Sequence, residues 1–236
     1  MPFHDDFGAR MKRYEEAHRT RLLPQLPVLL RLDGRAFHTF TAGLQRPFDQ
    51  RFASSMLQAS LALCRNIPGA RLAYTQSDEI TLLLYSPSRY FEPWFDLDVQ
   101  KLCSVSAGLC SVAFYSAWTR AFPDSASLPH FDARCWNLPV HEVANAFIWR
   151  QADAVRNSIN ALAQAHFPAK ELHGLKLSAV QERLWAECSI NWSQCDATQK
   201  RGAIVTRQAN AWVCEPAPEF AQNRHAIEDL LAVEPS

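Results

Sequence analysis

VLLRLDGRAFH, the stretch at residues 28–38, decides the fold of this chain together with YTQSDE at residues 74–79. Residues 28–32 are largely apolar and predict a buried strand that ends at Asp33 and Gly34. In the second segment, Ser77 and Asp78 predict a tight turn, and the apolar residues 80–85 predict a strand after it. Each segment therefore places a carboxylate at the end of an apolar strand. Two such acids indicate one site for a divalent metal ion.

Composition limits the class of protein. With 236 residues, of which 48% are hydrophobic and 20% charged, the chain can bury a full core and is not a disordered protein. No apolar stretch approaches the roughly 20 residues of a membrane span, and the N-terminal segment lacks the apolar part of a signal peptide. We therefore expect a cytoplasmic protein without membrane contact. Seven scattered cysteines without a Cys-x-x-Cys pair predict reduced thiols.

The order of the predicted elements defines the topology. They are a strand at 27–33, a helix at 49–66, strands at 71–76 and 80–85, a helix at 97–121 and a strand at 131–138. This β-α-β-β-α-β order predicts an α+β fold of the ferredoxin-like, palm-like type, with one antiparallel sheet and both helices on one face. In that topology the end of the first strand lies beside the hairpin between the second and third. Asp33 and Asp78 should converge, with Asp132 and Arg134 of the fourth strand nearby.

The remainder of the chain is predicted to be mainly helical. A long helix at 140–167 carries a polar stripe of Arg150, Asp153, Asn157, Asn160 and Gln164 opposite apolar residues. The stripe is either an ordinary solvated face or a surface ordered by a ligand or partner. A short helix at 177–187 and an extended piece at 203–205 follow. We expect a single domain over 1–236, with a palm-like core at 26–138, a helical extension at 139–215 and a peripheral tail at 216–236.

Four motifs together carry a family resemblance. They are RLDGRAFH at 31–38, YTQSDE at 74–79, FDAR at 131–134 and WRQAD at 149–153. In this order and spacing they resemble the tRNA-His guanylyltransferase superfamily over roughly residues 5–207. The resemblance implies a palm-like nucleotidyltransferase with two Mg²⁺ ions and with GTP and ATP as substrates. It also implies assembly as a homotetramer. Its implied partner is tRNA, to which it adds nucleotides at the 5′ end of the acceptor stem.

One departure from the eukaryotic pattern indicates a branch of the superfamily. After Trp-Arg-Gln-Ala-Asp the eukaryotic pattern continues Cys-His-Ile-Asn-Asn, whereas this chain continues AVRNS at residues 154–158, so that Val155 stands in place of the histidine. In this respect the chain resembles the bacterial Thg1-like proteins. That resemblance implies template-directed repair of 5′-truncated tRNAs; the alternative is addition of the extra 5′ G to tRNA-His.

The resemblance also implies roles for individual residues. The catalytic residues are Asp33, Asp78 and Glu79, and the metal ligands are Asp33, the carbonyl of Gly34 and Asp78. Nucleotide binding is assigned to Gly34, Arg35, Ala36, Phe37, His38, Arg46, Asp49, Ser77, Lys101 and Arg134. Contacts to the 5′ end, the activating nucleotide or the tRNA are assigned to Arg150, Asp153, Arg156, Asn157, Asn191, Lys200 and Arg201.

Several of these assignments have a structural alternative. Asp49 is either a guanine contact or the N-cap of the helix after it. Glu79 either supports the site or simply begins a strand, and Lys101 is either a triphosphate ligand or a charge on a helix surface. Phe37 fits a core anchor better than a base-stacking residue. For the whole protein, a nucleotidyl cyclase or a non-catalytic tRNA-binding module are the alternative functions.

Overall fold

The chain was analysed as a computed structural model that describes residues 6–88 and 90–232. The strands are β1 (Val28–Gly34), β2 (Ala70–Gln76), β3 (Glu79–Leu84), β4 (Phe131–Asn137), β5 (Ala203–Gln208) and β6 (Ala211–Pro216). The helices are α1 (Phe7–Glu16), α2 (Phe37–Phe40), α3 (Gln50–Asn66), α4 (Val99–Ala121), α5 (Val143–Gln164), α6 (Ala169–Leu172), α7 (Leu177–Cys188), α8 (Ala197–Arg201) and α9 (His225–Ala232). Acidic side chains begin both core helices: Asp49 caps α3 and Asp98 caps α4.

The six strands form one antiparallel sheet in the order β4-β1-β3-β2-β5-β6. Its first four strands have the predicted ferredoxin-like order. The hairpin of β5 and β6 extends the sheet beyond β2, where the sequence indicated only an extended piece at 203–205. Strand β6 escaped prediction because it is a half-buried edge strand whose apolar run, residues 211–214, is only four residues long.

Alternation along the central strands divides the core between two faces. Leu30, Leu32 and Leu82 point to the face covered by α3 and α4, as predicted. Leu29 and Leu83 point to the other face, which packs against α5. Because both faces of the central strands are buried, these strands have continuous apolar sequences. The acidic end of β1 also faces α5, since Asp33 alternates in step with Leu29.

The C-terminal segment packs against the α5 face. Ala217, Phe220, Ile227 and Leu231 are buried there among residues of β2, β3 and α5. The side chain of Gln151 fixes the segment by donating to the carbonyl of Pro218 and accepting from the N–H of Phe220, at 2.7 and 2.8 Å. The prediction of a peripheral tail at 216–236 is therefore wrong for residues 216–232, which pack against the core. Residues 233–236 lie outside the described residues. The apolar residues Ile227, Leu230 and Leu231 have helical spacing, but their spacing does not show that this helix packs against the sheet.

Within the described residues, one helix, α4, is long and apolar enough to cross a membrane by length and composition. We expected no stretch of this kind from the sequence. Leu102, Phe114 and Trp118 of this helix are buried in the core. One such helix is weak evidence for a membrane span, because the core helix of a soluble protein passes the same test.

Gly202 connects α8 to β5 in a conformation that excludes other residues. Its φ is +78°, and a Cβ atom would lie 2.4 Å from the carbonyl oxygen of Thr75. We expect Gly202→Ala to lower the free energy of unfolding by about 3 kcal/mol, because backbone strain and overpacking each cost about 1–3 kcal/mol. Urea denaturation measures this loss. The control is Gly43→Ala, whose Cβ would meet nothing within 4 Å; an equal effect of both substitutions would contradict the packing argument.

Candidate active site

Backbone pairing brings the two acidic segments together. Asp33 lies opposite Glu79 in the β1–β3 ladder, and Gly34 donates its N–H to the carbonyl of Asp78 at 3.0 Å. Gln76 pairs with Glu79, so that Ser77 and Asp78 form a two-residue hairpin loop, with Ser77 in the left-handed region at φ +50°. Asp132 of β4 lies opposite Asp33 on the other side. The convergence of Asp33 and Asp78 is the one that the topology predicted.

The electrostatics of the two carboxylates suit a bound cation. Burial raises the pKa of Asp78, and the negative charge of Asp33 contributes to the rise. Among the described residues, neither carboxylate forms an ion pair with a lysine or arginine. In the part of the chain that the structure describes, no three or more His, Cys, Asp or Glu side chains are grouped so that they could hold a metal ion. A divalent ion here would be held by two carboxylates, the carbonyl of Gly34 and substrate phosphates, which is a donor set that Mg²⁺ accepts.

Gly34 is followed by a tight loop anchored by Phe37. A Cβ atom on Gly34 would lie 2.5 Å from the Phe37 ring, so no side chain fits there. Phe37 is buried within a cluster of aromatic rings from Phe40, Phe52, Phe114 and Phe131, which confirms its role as a core anchor.

The loop itself presents backbone groups beside the acids. Ala36 has φ +56° and precedes the short helix α2, whose first N–H groups lack intrahelical acceptors. Such groups favour anions. Arg35 is exposed and donates its N–H to the carbonyl of His130, while the exposed His38 contacts the Thr39 hydroxyl at 3.0 Å. Phosphate binding by this loop stays a prediction.

A cleft of about 430 Å³ opens beside the acids. Its lining includes predicted site residues from several elements: His38, Arg46, Asp49, Ser77, Asp78 and Asn157. The volume falls within the range of about 300–1,000 Å³ that is typical of small-ligand sites. Thr198, Gln199 and Gly202 of the α8 region line it as well. Sequence reasoning missed these three, since only the tertiary pairing of β5 with β2 brings them there.

Asp49 is the N-cap of α3, which confirms the structural alternative. Its carboxylate accepts from the N–H of Arg51 and Gln45 at 2.9 and 3.3 Å and forms a 2.8 Å ion pair with the Arg51 guanidinium. The hydrogen bond from the Arg51 side chain is the main reason that the pKa of Asp49 falls to about 2. With both oxygens engaged and only 3% of its side chain exposed, Asp49 borders the cleft chiefly as a structural residue.

Glu79 supports the site through an ion pair that the sequence did not reveal. Its carboxylate accepts two hydrogen bonds from the Arg150 guanidinium, at 2.7 and 2.6 Å. Arg150 also pairs with Asp153 at 3.1 Å, and Asp153 in turn pairs with Arg156. Burial opposes the charge of Arg150, but Glu79 and Asp153 outweigh it and raise its pKa. Arg150 and Asp153 of the polar stripe therefore belong to a network that ties α5 to the end of β3. Asn157 and Gln164 are exposed, and of the stripe only Asn157 borders the cleft.

Two predicted phosphate-binding cations occupy different ends of the sheet. Arg134 lies on the Asp33 face, exposed and 3.5 Å from Asp132. Lys101 lies in the first turn of α4, where the N–H of Val99 bonds to the carbonyl of Thr20. Phe131, at the acidic edge, bonds to Ser111, and the ten residues between Ser111 and Lys101 span about 15 Å of helix. Lys101 is thus an exposed charge in the first turn of α4, and its predicted contact with the triphosphate stays a prediction.

The predicted tRNA-contacting residues after α7 are engaged within the chain. Lys200 bonds to the carbonyl of Ser193 and lies 5.7 Å from the Trp192 ring centroid. Arg201 pairs with Glu219 at 3.3 Å. Asn191 caps the turn at Trp192–Gln194. These residues form the base of the α8 region, and their predicted contacts to tRNA backbone stay predictions.

The chain is similar to proteins of one known family in both sequence and structure. The profile of a family described as tRNAHis guanylyltransferase, Thg1, matches residues 8–139. A bacterial tRNA(His) guanylyltransferase (Thg1)-like protein solved in complex with ATP is 40% identical, with a TM-score of 0.92 and coverage of 95% of this chain and 98% of that chain. Another, in complex with GTP, is 35% identical, with a TM-score of 0.83 and coverage of 97% and 100%. The tRNA(His) guanylyltransferase of Eremothecium gossypii is 28% identical over 218 residues, which are 83% of this chain and 88% of the relative.

Proposed function

The chain belongs to the tRNAHis guanylyltransferase (Thg1) family and is a nucleotidyltransferase, and we propose that it extends tRNA 5′ ends in the 3′-to-5′ direction. The observation that carries this proposal is the convergence of Asp33 and Asp78 at one edge of the sheet, where Asp78 lines a cleft of nucleotide size. The complexes of two similar bacterial proteins with ATP and GTP support a nucleoside triphosphate as the occupant of the cleft.

The proposed reaction consists of two phosphoryl transfers. The tRNA 5′-phosphate first attacks the α-phosphate of a nucleoside triphosphate and releases pyrophosphate. The 3′-hydroxyl of the incoming triphosphate then attacks the activated 5′-phosphate and releases the nucleoside monophosphate. Positioning and charge neutralisation dominate such reactions. Two Mg²⁺ ions, held by Asp33, Gly34 and Asp78, would neutralise charge on the attacking and leaving oxygens.

The surrounding residues have supporting roles in this proposal. The N–H groups at the start of α2, with Arg35 and Arg46, bind phosphate oxygens. Glu79 accepts two hydrogen bonds from Arg150 and so holds the end of β3 in place opposite Asp33. The end of β1 at Asp33 and the β2–β3 hairpin at Asp78 therefore keep their relative positions when no substrate is bound.

We propose repair of 5′-truncated tRNAs as the biological reaction. Val155, which stands where the eukaryotic pattern has histidine, packs against the apolar cluster of α5 and α7 and carries no polar group that reads a base. Addition of the extra 5′ G to tRNA-His is the alternative. The proposal includes a cytoplasmic location and a homotetramer; the exposed apolar residues Val105, Val112 and Tyr115 of α4 support assembly.

The test is incorporation of labelled nucleotides with Mg²⁺ into two sets of RNAs. We expect templated extension of several 5′-truncated tRNAs and weaker extension of full-length tRNA-His. Strict addition of G to full-length tRNA-His would overturn the repair proposal. Cyclic nucleotide formed from GTP or ATP without RNA would favour a cyclase, and tRNA binding without any transfer would favour a non-catalytic module.

A further inference from the structure

Trp149 is a large exposed side chain beside the catalytic edge that the proposed reaction leaves unused. It precedes Arg150 on α5, and 59% of the residue is exposed. The guanidinium of Arg150 lies over its ring, 4.7 Å from the centroid. Tryptophan is enriched at binding surfaces, because its ring offers a large area for contact.

The ring is fixed from one side. Arg150, which covers one face of Trp149, is itself held by both oxygens of Glu79 and by Asp153. A ring that rests on an immobilised guanidinium has already lost much of its rotational freedom. A flat ligand that stacks on the open face therefore pays little further entropy for ordering the side chain.

Trp149 is connected to the acidic edge through Arg150 and lies outside the cleft lining. Its contact with Arg150 connects it to Glu79, which lies opposite Asp33. Ser158, which lines the cleft, is nine residues further along α5 and thus about 180° around the helix from Trp149. The four residues of α5 that line the cleft lie about 80–180° around the helix from Trp149, which is not among the lining residues; they are Ala154, Asn157, Ser158 and Ala161.

We propose that Trp149 stacks on the 5′-terminal base of the RNA whose 5′-phosphate lies at Asp33 and Asp78. This inference rests on the proposed function, in which one nucleotide occupies the cleft and the RNA end must approach the acids from elsewhere. Every base has a π face, so stacking accepts any terminal base. Such a contact suits an enzyme that acts on truncated ends of different sequence.

The test measures equilibrium binding of a 5′-phosphorylated RNA hairpin, with a normal or an abasic terminal nucleotide, by fluorescence anisotropy. One stacked base is worth about tenfold in affinity. We expect the unmodified protein to bind the abasic RNA about tenfold more weakly. Trp149→Ala should bind both RNAs equally and weakly, and Trp149→Phe should keep most of the preference. A Trp149→Ala variant that retains the tenfold preference would overturn the proposal.

The matched control is Trp185→Ala, because Trp185 on α7 is 62% exposed and does not adjoin the Glu79–Arg150 pair. It should keep the tenfold preference for the normal end. Loss of the preference in both tryptophan variants would contradict a specific role of Trp149. If the protein shows the Trp149-dependent preference for the normal RNA end but transfers no nucleotide, the proposed function is rejected and the stacking inference is retained.

Discussion

Asn in place of Asp33 or Asp78 is expected to lower nucleotide addition by roughly 10³-fold, since metal ions supply several kcal/mol of transition-state stabilisation in phosphoryl transfer. The same substitutions should not destabilise the fold. The pKa of Asp78 is raised by burial and by Asp33, so its ionised form at neutral pH opposes folding. Asp78→Asn removes that charge, and its free energy of unfolding without Mg²⁺ should equal or exceed that of the unmodified protein.

The separation of activity from stability distinguishes a metal ligand from a structural residue. Single-turnover transfer to an activated, truncated tRNA measures activity, and urea denaturation without Mg²⁺ measures stability. Added Mg²⁺ should raise the melting temperature of the unmodified protein and have little effect on either variant, because only a competent site links binding to folding.

Asp132→Asn provides the matched control for both acids. Asp132 lies opposite Asp33 on the same face of the sheet, but 57% of its side chain is exposed, and Arg134 is 3.5 Å away. Its variant should keep activity within about tenfold, a change of 1.4 kcal/mol. Equal losses at Asp132 and Asp33 would show that the whole acidic edge, and not the pair, carries the reaction.

The sequence was sufficient for the pair of acids because local pattern and topology agree there. An apolar run, an Asp-Gly end and a two-residue turn each predict their own element, and the β-α-β-β-α-β order then fixes which ends meet. Lys101 shows the limit of that reasoning. Its motif position implied a phosphate ligand, yet it lies ten residues, about 15 Å of helix, from Ser111, which bonds to Phe131 at the acidic edge.

Contacts between distant segments were not predictable in the same way. Glu79 and Arg150 are 71 residues apart, and each had a plausible local role as a strand start or as part of a polar helix face. Only the packing of α5 across the sheet shows that they satisfy one another. The buried C-terminal segment has the same cause, because Phe220 and Ile227 are buried only against a face formed by β2, β3 and α5, which are distant in sequence.

Replacing Arg150 by methionine is expected to lower the free energy of unfolding by about 3–5 kcal/mol, because it leaves a buried carboxylate without its partner. In the folded chain the Arg150 and Glu79 side chains are only 11% and 10% exposed. For a domain of this size the loss corresponds to a fall of roughly 10 °C in melting temperature. Urea denaturation and thermal unfolding measure it.

Two further variants separate the pair from other effects of the substitution. Arg156→Met removes an arginine of the same helix that also pairs with Asp153, but it is 58% exposed and should cost less than about 1 kcal/mol. The double variant Glu79→Met/Arg150→Met replaces both charges by apolar groups and should recover most of the lost stability. A double variant as unstable as Arg150→Met would show that the arginine stabilises the fold by packing and not by neutralising Glu79. If the double variant recovers stability but not activity, the Glu79–Arg150 pair is needed to hold β3 in position opposite Asp33.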